Sequence, residues 1–88
     1  SGFQWLTHLV NYTDFPNSLK VICVFDTNDN LNNFTAANNH QRLNTLIQKK
    51  LLEMSININN ITNHVLYDTE ESCDKYDNGK WANRLARK

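Results

Sequence analysis

Chain breakers are scarce here: 88 residues hold two glycines and one proline. That excludes collagen and flexible Gly/Pro-rich linkers. Two cysteines, Cys23 and Cys73, are too few for a disulfide scaffold. Neither belongs to a CxxC pair, and no histidine lies at zinc-finger spacing, so no zinc site is indicated. No apolar run approaches the roughly 18 residues that a membrane helix needs, so no membrane partner is expected. Neither sign of charge dominates, since nine Lys and Arg balance nine Asp and Glu. Nucleic-acid binders draw affinity from neutralising phosphates, so a net charge of zero disfavours that class. Two glycines cannot build a phosphate-binding loop, and no serine sits in a nucleophile elbow.

What is present suits one small domain spanning residues 1–88, with 40% hydrophobic residues to form its core. The chain shows no charged-then-apolar leader, and its thiols read as reduced, so the expected location is cytoplasmic. Asparagine is abundant, at 15 residues, three of them in Asn-x-Thr triplets at Asn11, Asn33 and Asn60. Chance alone gives about two such triplets in this composition, so they carry no glycosylation signal. The asparagines weaken local preferences, because Asn favours neither helix nor strand.

Residues 3–10 are aromatic and β-branched enough for a strand. Residues 11–18 form a loop broken by Pro16. Residues 19–26 make the clearest strand: Val21, Cys23 and Phe25 point one way, Ile22 and Val24 the other. Apolar residues on both faces predict a central strand covered on both sides. Asp26 to Asn33 reads as turn chemistry, with a short helical turn around Leu31–Ala37. Leu43, Leu46, Ile47, Leu51 and Met54 then trace one stripe of a helix over 39–54, opposite Gln41, Asn44, Gln48 and Lys49. His64 to Tyr67 reads as a short strand. Asp68-Thr69-Glu70-Glu71 has the form of a capping box, with Asp68 as the cap of a helix over 69–76 that Asn78-Gly79 stops. Residues 80–87 suit a last helix docked by Trp81 and Leu85. The expected fold is α+β: a small mixed three-stranded sheet in ββαβαα order with helices packed on it. The first two strands pair antiparallel; the second and third, joined by a helical crossover, pair parallel.

Three groups of residues could carry function. Val24-Phe25-Asp26-Thr27 and Leu66-Tyr67-Asp68-Thr69 repeat one pattern at two strand ends. On parallel strands both aspartates would emerge at the carboxyl edge, where open α/β sheets bind ligands. Asp26, Asp68 and Glu70 or Glu71 could then share a hard cation such as Mg²⁺, although Asp-Thr after a strand is also ordinary capping chemistry. Lys80, Arg84, Arg87 and Lys88 form a basic run without an acid, after an acidic run from Asp68 to Asp77. The two runs can pair with each other, or the basic one can meet phosphates. Trp5 and Trp81 offer large surfaces for a core or a partner interface.

Three stretches together resemble a family of small uncharacterised bacterial proteins: Gly2 to His8, Phe15 to Thr27, and Asp68 to Cys73. Some members carry the label Fis family transcriptional regulator. The resemblance implies a bacterial cytosolic protein, and the label implies a DNA-linked role. Fis proteins are all-helical, and the strand-like Val21–Phe25 departs from that pattern. The leading expectation is a cytosolic domain that binds a protein partner or a second copy of itself, without catalysis and without a cofactor. The alternatives are a nucleic-acid binder using the basic C-terminal helix and a metal-dependent enzyme using Asp26, Asp68 and Glu70.

Overall fold

The computed structural model describes residues 2–88. Its central element is strand β2 (Lys20–Phe25), whose neighbours are β1 (Phe3–Leu9), antiparallel, and β3 (Val65–Thr69), parallel. This is the predicted α+β fold with a mixed three-stranded sheet. Val21 through Phe25 are at most 6% exposed, so the strand that is apolar on both faces is indeed buried on both.

Two helices cross from β2 to β3, α1 (Asn28–Ala36) and α2 (Asn39–Glu53). The sequence predicts only a turn around residues 31–37 in place of α1. The helix forms because Thr27 caps it, its hydroxyl accepting from the Asn30 N–H at 3.1 Å. Leu31 and Phe34 then reach the sheet, and Phe34 lies 4.7 Å from the Phe25 ring centre. Docking of these two side chains outweighs the poor helix propensity of the asparagines. Asn38, left-handed at φ 59°, makes the corner into α2.

Leu31, Phe34, Leu43 and Ile47 pack on Val21, Cys23, Phe25 and Val65, forming the core on one face of the sheet. The other face carries Ile22 and Val24, with Trp5, Thr7 and Asp68 beside them in the strand register. After β3, α3 (Glu70–Asp77) leads to α4 (Trp81–Leu85), whose Trp81 ring meets Trp5 edge-on at 4.9 Å. A helical layer thus lies on each side of the sheet.

The rotation of α2 differs from the predicted stripe. Asn44, expected on the solvent side, is buried, and its Oδ1 accepts from the Tyr67 hydroxyl at 2.6 Å. Gln48 donates to the Ile58 carbonyl at 2.9 Å. Leu46, on the side of α2 away from Asn44, is 58% exposed, and Met54, the residue that ends the helix, is 62% exposed.

Cys23 and Cys73 are free thiols with 0% exposure. Burial pushes the Cys23 thiol up to about 11 and raises Cys73 as well. We expect a thiol reagent such as DTNB to react with neither cysteine in the folded protein near neutral pH, and with both in denaturant. Reaction of either in the folded state would show that its element opens locally.

Candidate functional site

The two Asp-Thr pairs emerge where the sequence places them, at the carboxyl ends of two parallel strands. Each pair works in the same way. Asp26 Oδ1 accepts from the Thr27 N–H at 2.7 Å, and Asp68 Oδ1 from the Thr69 N–H at 2.8 Å. The threonine hydroxyls then cap α1 and α3, accepting from the Asn30 and Ser72 amides at 3.1 and 3.0 Å. The cap of α3 is therefore Thr69, not Asp68. Both residues have an acceptor side chain, but only Thr69 occupies the extended half-in position, at φ −138° and ψ 150°.

The crevice between these helix starts is filled by the chain itself. Glu71 Oε1 accepts from the Asn28 N–H at 2.8 Å, while Asn28 Oδ1 accepts from the Thr69 and Ser72 hydroxyls at 2.6 and 3.0 Å. A carboxylate already sits where an anionic ligand would meet the start of α1. Nor do the three candidate metal ligands share partners. Asp26 is held by Thr27 and by the Asn30 amide at 2.9 Å, which lower its pKa, Asn30 most. Glu70 accepts from both indoles, Trp5 Nε1 at 2.6 Å and Trp81 Nε1 at 3.1 Å. Asp68 faces Arg84 and Lys88. Among the described residues, no group of three or more His, Cys, Asp or Glu is placed to hold a metal.

Three of the four candidate phosphate-binding cations are bound to carboxylates. Arg84 grips Asp68 with Nε at 2.7 Å and Nη2 at 2.9 Å, and reaches Asp77 with Nη1 at 2.9 Å. Arg87 meets Asp77 at 2.6 Å, and Lys88 meets Asp68 at 3.0 Å. The acidic and basic runs thus pair with each other, around two carboxylates that are 5% and 4% exposed. Burial alone would raise the Asp68 pKa, but Arg84 and Lys88 outweigh it and hold the carboxyl below its usual range. Arg87 and Arg84 do the same for Asp77. Asp68 raises the Arg84 pKa in turn. Lys80, the fourth cation, is exposed at the turn before α4.

The unsatisfied surface lies elsewhere, on the α1–α2 side of the sheet. There α2 leaves β1 uncovered, and an open apolar groove of about 580 Å³ runs between them. Leu6 and His8 form its floor; Leu46, Leu51 and Met54 form one wall. Tyr12 and Phe15, stacked with ring centres 6.1 Å apart, close one end. Asn11 pins their loop, accepting from the Thr13 amide at 3.1 Å and bonding Ser18 through its backbone. A second recess of about 310 Å³ continues past Leu46 to Phe3 and Phe34. The sequence supplied every apolar residue of this groove, but nothing in it said that Asn44 would turn inward.

Comparison with known proteins yields no match: no family model fits the chain, and no curated protein or solved structure is significantly similar.

Two measurements check the ion-pair cluster. We expect Asp68→Ala to lower stability in urea by about 2–3 kcal/mol, because Arg84 and Lys88 lose a buried partner while Arg84 keeps Asp77. Thr69→Val, which removes a cap, should cost about 1 kcal/mol. A smaller loss for Asp68→Ala than for Thr69→Val would return Asp68 to a local role. The pH dependence follows from the lowered folded-state pKa values of Asp68 and Asp77. Unfolded carboxyls titrate near pH ~3.9, so the stabilisation is complete above that value. It should be lost as pH falls through the lower folded values. Replacing Arg84 by methionine should flatten this acid limb; an unchanged limb would place the acid sensitivity elsewhere.

Proposed function

We propose that this domain acts by binding a protein partner, through the groove between β1 and α2. The observation that carries the reading is an apolar surface left open by the fold. Leu6, Leu46 and Met54, on two facing elements, are 52%, 58% and 62% exposed, and they line one continuous depression. Monomeric proteins rarely leave connected apolar surface of this kind without a use for it. The lining is almost wholly aliphatic and aromatic, with His8 and Lys50 as its polar members. That composition suits the apolar core of a protein interface better than the chemistry of a turnover site, which needs convergent polar groups.

Two further features support a binding role over the alternatives. The acidic side chains that could hold a cation are each engaged by a different part of the chain. Arg84, Arg87 and Lys88 are held by Asp68 and Asp77, so a phosphate would have to compete with buried carboxylates for them. Free, buried thiols support a reducing setting such as the cytoplasm. No helix among the described residues is long and apolar enough to cross a membrane.

The test uses site-specific photo-crosslinking in the cells that make the protein. A photoreactive side chain at Leu46 should yield a discrete protein adduct, whereas the same group at the exposed Asn83 of α4 should not. Absence of any adduct at Leu46, or equal labelling at both positions, would overturn the groove as the working surface.

A further inference from the structure

We infer that the partner in this groove is a second copy of the chain, joined by antiparallel pairing of β1 with β1 across a two-fold axis. This rests on the reading of the groove as a protein-docking surface and adds the identity of the occupant. Val21 N–H donates to the His64 carbonyl at 2.7 Å, so Val21, Cys23 and Phe25 turn their backbone groups toward β3. Ile22 and Val24 therefore turn theirs toward β1, where the register sets them opposite Thr7 and Trp5. It follows that the N–H and C=O groups of Leu6 and His8 point outward from the sheet. Among the described residues, no side chain bonds them.

Natural edge strands are usually blunted by a charge, a proline or a covering element. β1, with the sequence Phe-Gln-Trp-Leu-Thr-His-Leu, has neither lysine nor proline nor any acid. Its one irregularity is the register shift between Phe3 and Trp5, which lies before the Leu6–His8 stretch and leaves it regular. A two-fold axis through Thr7 sets Leu6 of each copy opposite His8 of the other. Those residues present the outward groups, so they exchange ladder hydrogen bonds and join two three-stranded sheets into one of six strands.

The same operation settles the groove. Leu6 and His8 supply its floor, so joining the β1 strands joins the two floors, with an α2 helix on either side. Phe3, Leu6, Tyr12, Phe15, Leu46 and Met54 are 44–76% exposed. At the ~200 Å² of a large apolar side chain, they offer on the order of 700 Å² per copy. A standard stable interface needs about 800 Å² per partner. An added peptide strand would satisfy the edge but leave Leu46 and Met54 in water, whereas a second copy brings an edge and an apolar wall together. The formal net charge is zero, so two copies meet without long-range repulsion. The interface is isologous, each patch facing its own image.

The experiment is sedimentation velocity on the purified chain across a concentration series, with two variants. His8→Pro removes an outward N–H and leaves the β1–β2 ladder intact; Leu46→Asp charges the wall of the groove. We expect a reversible dimer for the unmodified chain, a rise of at least about tenfold in Kd for either variant, and a circular dichroism spectrum of native shape for both. Hydrogen exchange should show the Leu6 and His8 amides protected at high concentration and exposed at low. A dimer that survives His8→Pro with those amides exchanging freely would overturn the β1 pairing. A strictly monomeric chain would overturn the second copy as occupant. In that case a foreign protein crosslinked at Leu46 would leave the docking surface standing, and absence of any adduct would remove both.

Discussion

Val21, Cys23 and Phe25 on one face of β2, with Ile22 and Val24 on the other, must all leave water, so a sheet of only three strands needs a helical layer on each side. That requirement governs how the rest of the chain is spent. The crossover supplies α1 and α2 for the first face; the residues after β3 supply α3 and α4 for the second. Both layers are centred on the parallel pair, where the buried side chains are. β1, antiparallel and added at the margin, is covered by what remains, and on the α2 side little remains. The open groove is the direct result of covering two faces with so short a chain.

The two faces are held by different forces. On the α1–α2 side the contacts are apolar and aromatic, with Phe25, Phe34 and Tyr67 in mutual ring contact. The opposite helix, α4, has only five residues, too few to be stable by itself. It is fixed by directional bonds: Arg84 to Asp68 and Asp77, and Trp81 with Trp5 on the Glu70 carboxylate. Buried pairs of this kind add less net stability than their Coulomb attraction suggests, because both charges give up hydration. What they supply here is geometry. The planar guanidinium and two buried carboxylates fix where α4 sits against β3 and α3.

Much of the architecture could be read from the residues in order. The double-faced run at Val21–Phe25, the three-and-four spacing from Leu43 to Leu51 and the Asn78-Gly79 stop each reflect a local rule acting alone. α1 escaped because its signal is tertiary: five of its nine residues are Asn or Asp, and Leu31 and Phe34 become decisive only once a sheet lies beneath them. Asp68 was misassigned as a cap for a related reason. Asp-Thr presents two acceptors in a row, and the choice between them depends on where the extended backbone gives way to helix, which falls at Thr27 and Thr69 alike. The groove was least legible of all. Its apolar residues were visible as a stripe, but the inward turn of Asn44 is set by the Tyr67 hydroxyl of a strand formed later in the chain. A buried polar atom must find a partner, and with that partner in place Asn44 shares the inward face of α2 with Leu43, Ile47 and Leu51.

The placement of the two tryptophans has an optical consequence. Trp5 and Trp81 are the only indoles in the chain, and they share Glu70 on the face of the sheet opposite the groove. Ultraviolet emission excited at the indole band therefore reports how α4 seats against the sheet. With ring centres 4.9 Å apart, the pair behaves as one chromophore cluster and not as two independent dyes. Loosening of α4 changes its surroundings at once, and pairing of β1 with β1 about Thr7 would bring Leu9 of the second copy opposite Trp5 at the rim of the cluster. The molecule thus carries an intrinsic lamp on one side of the sheet and its open groove on the other, with β1 as the element common to both.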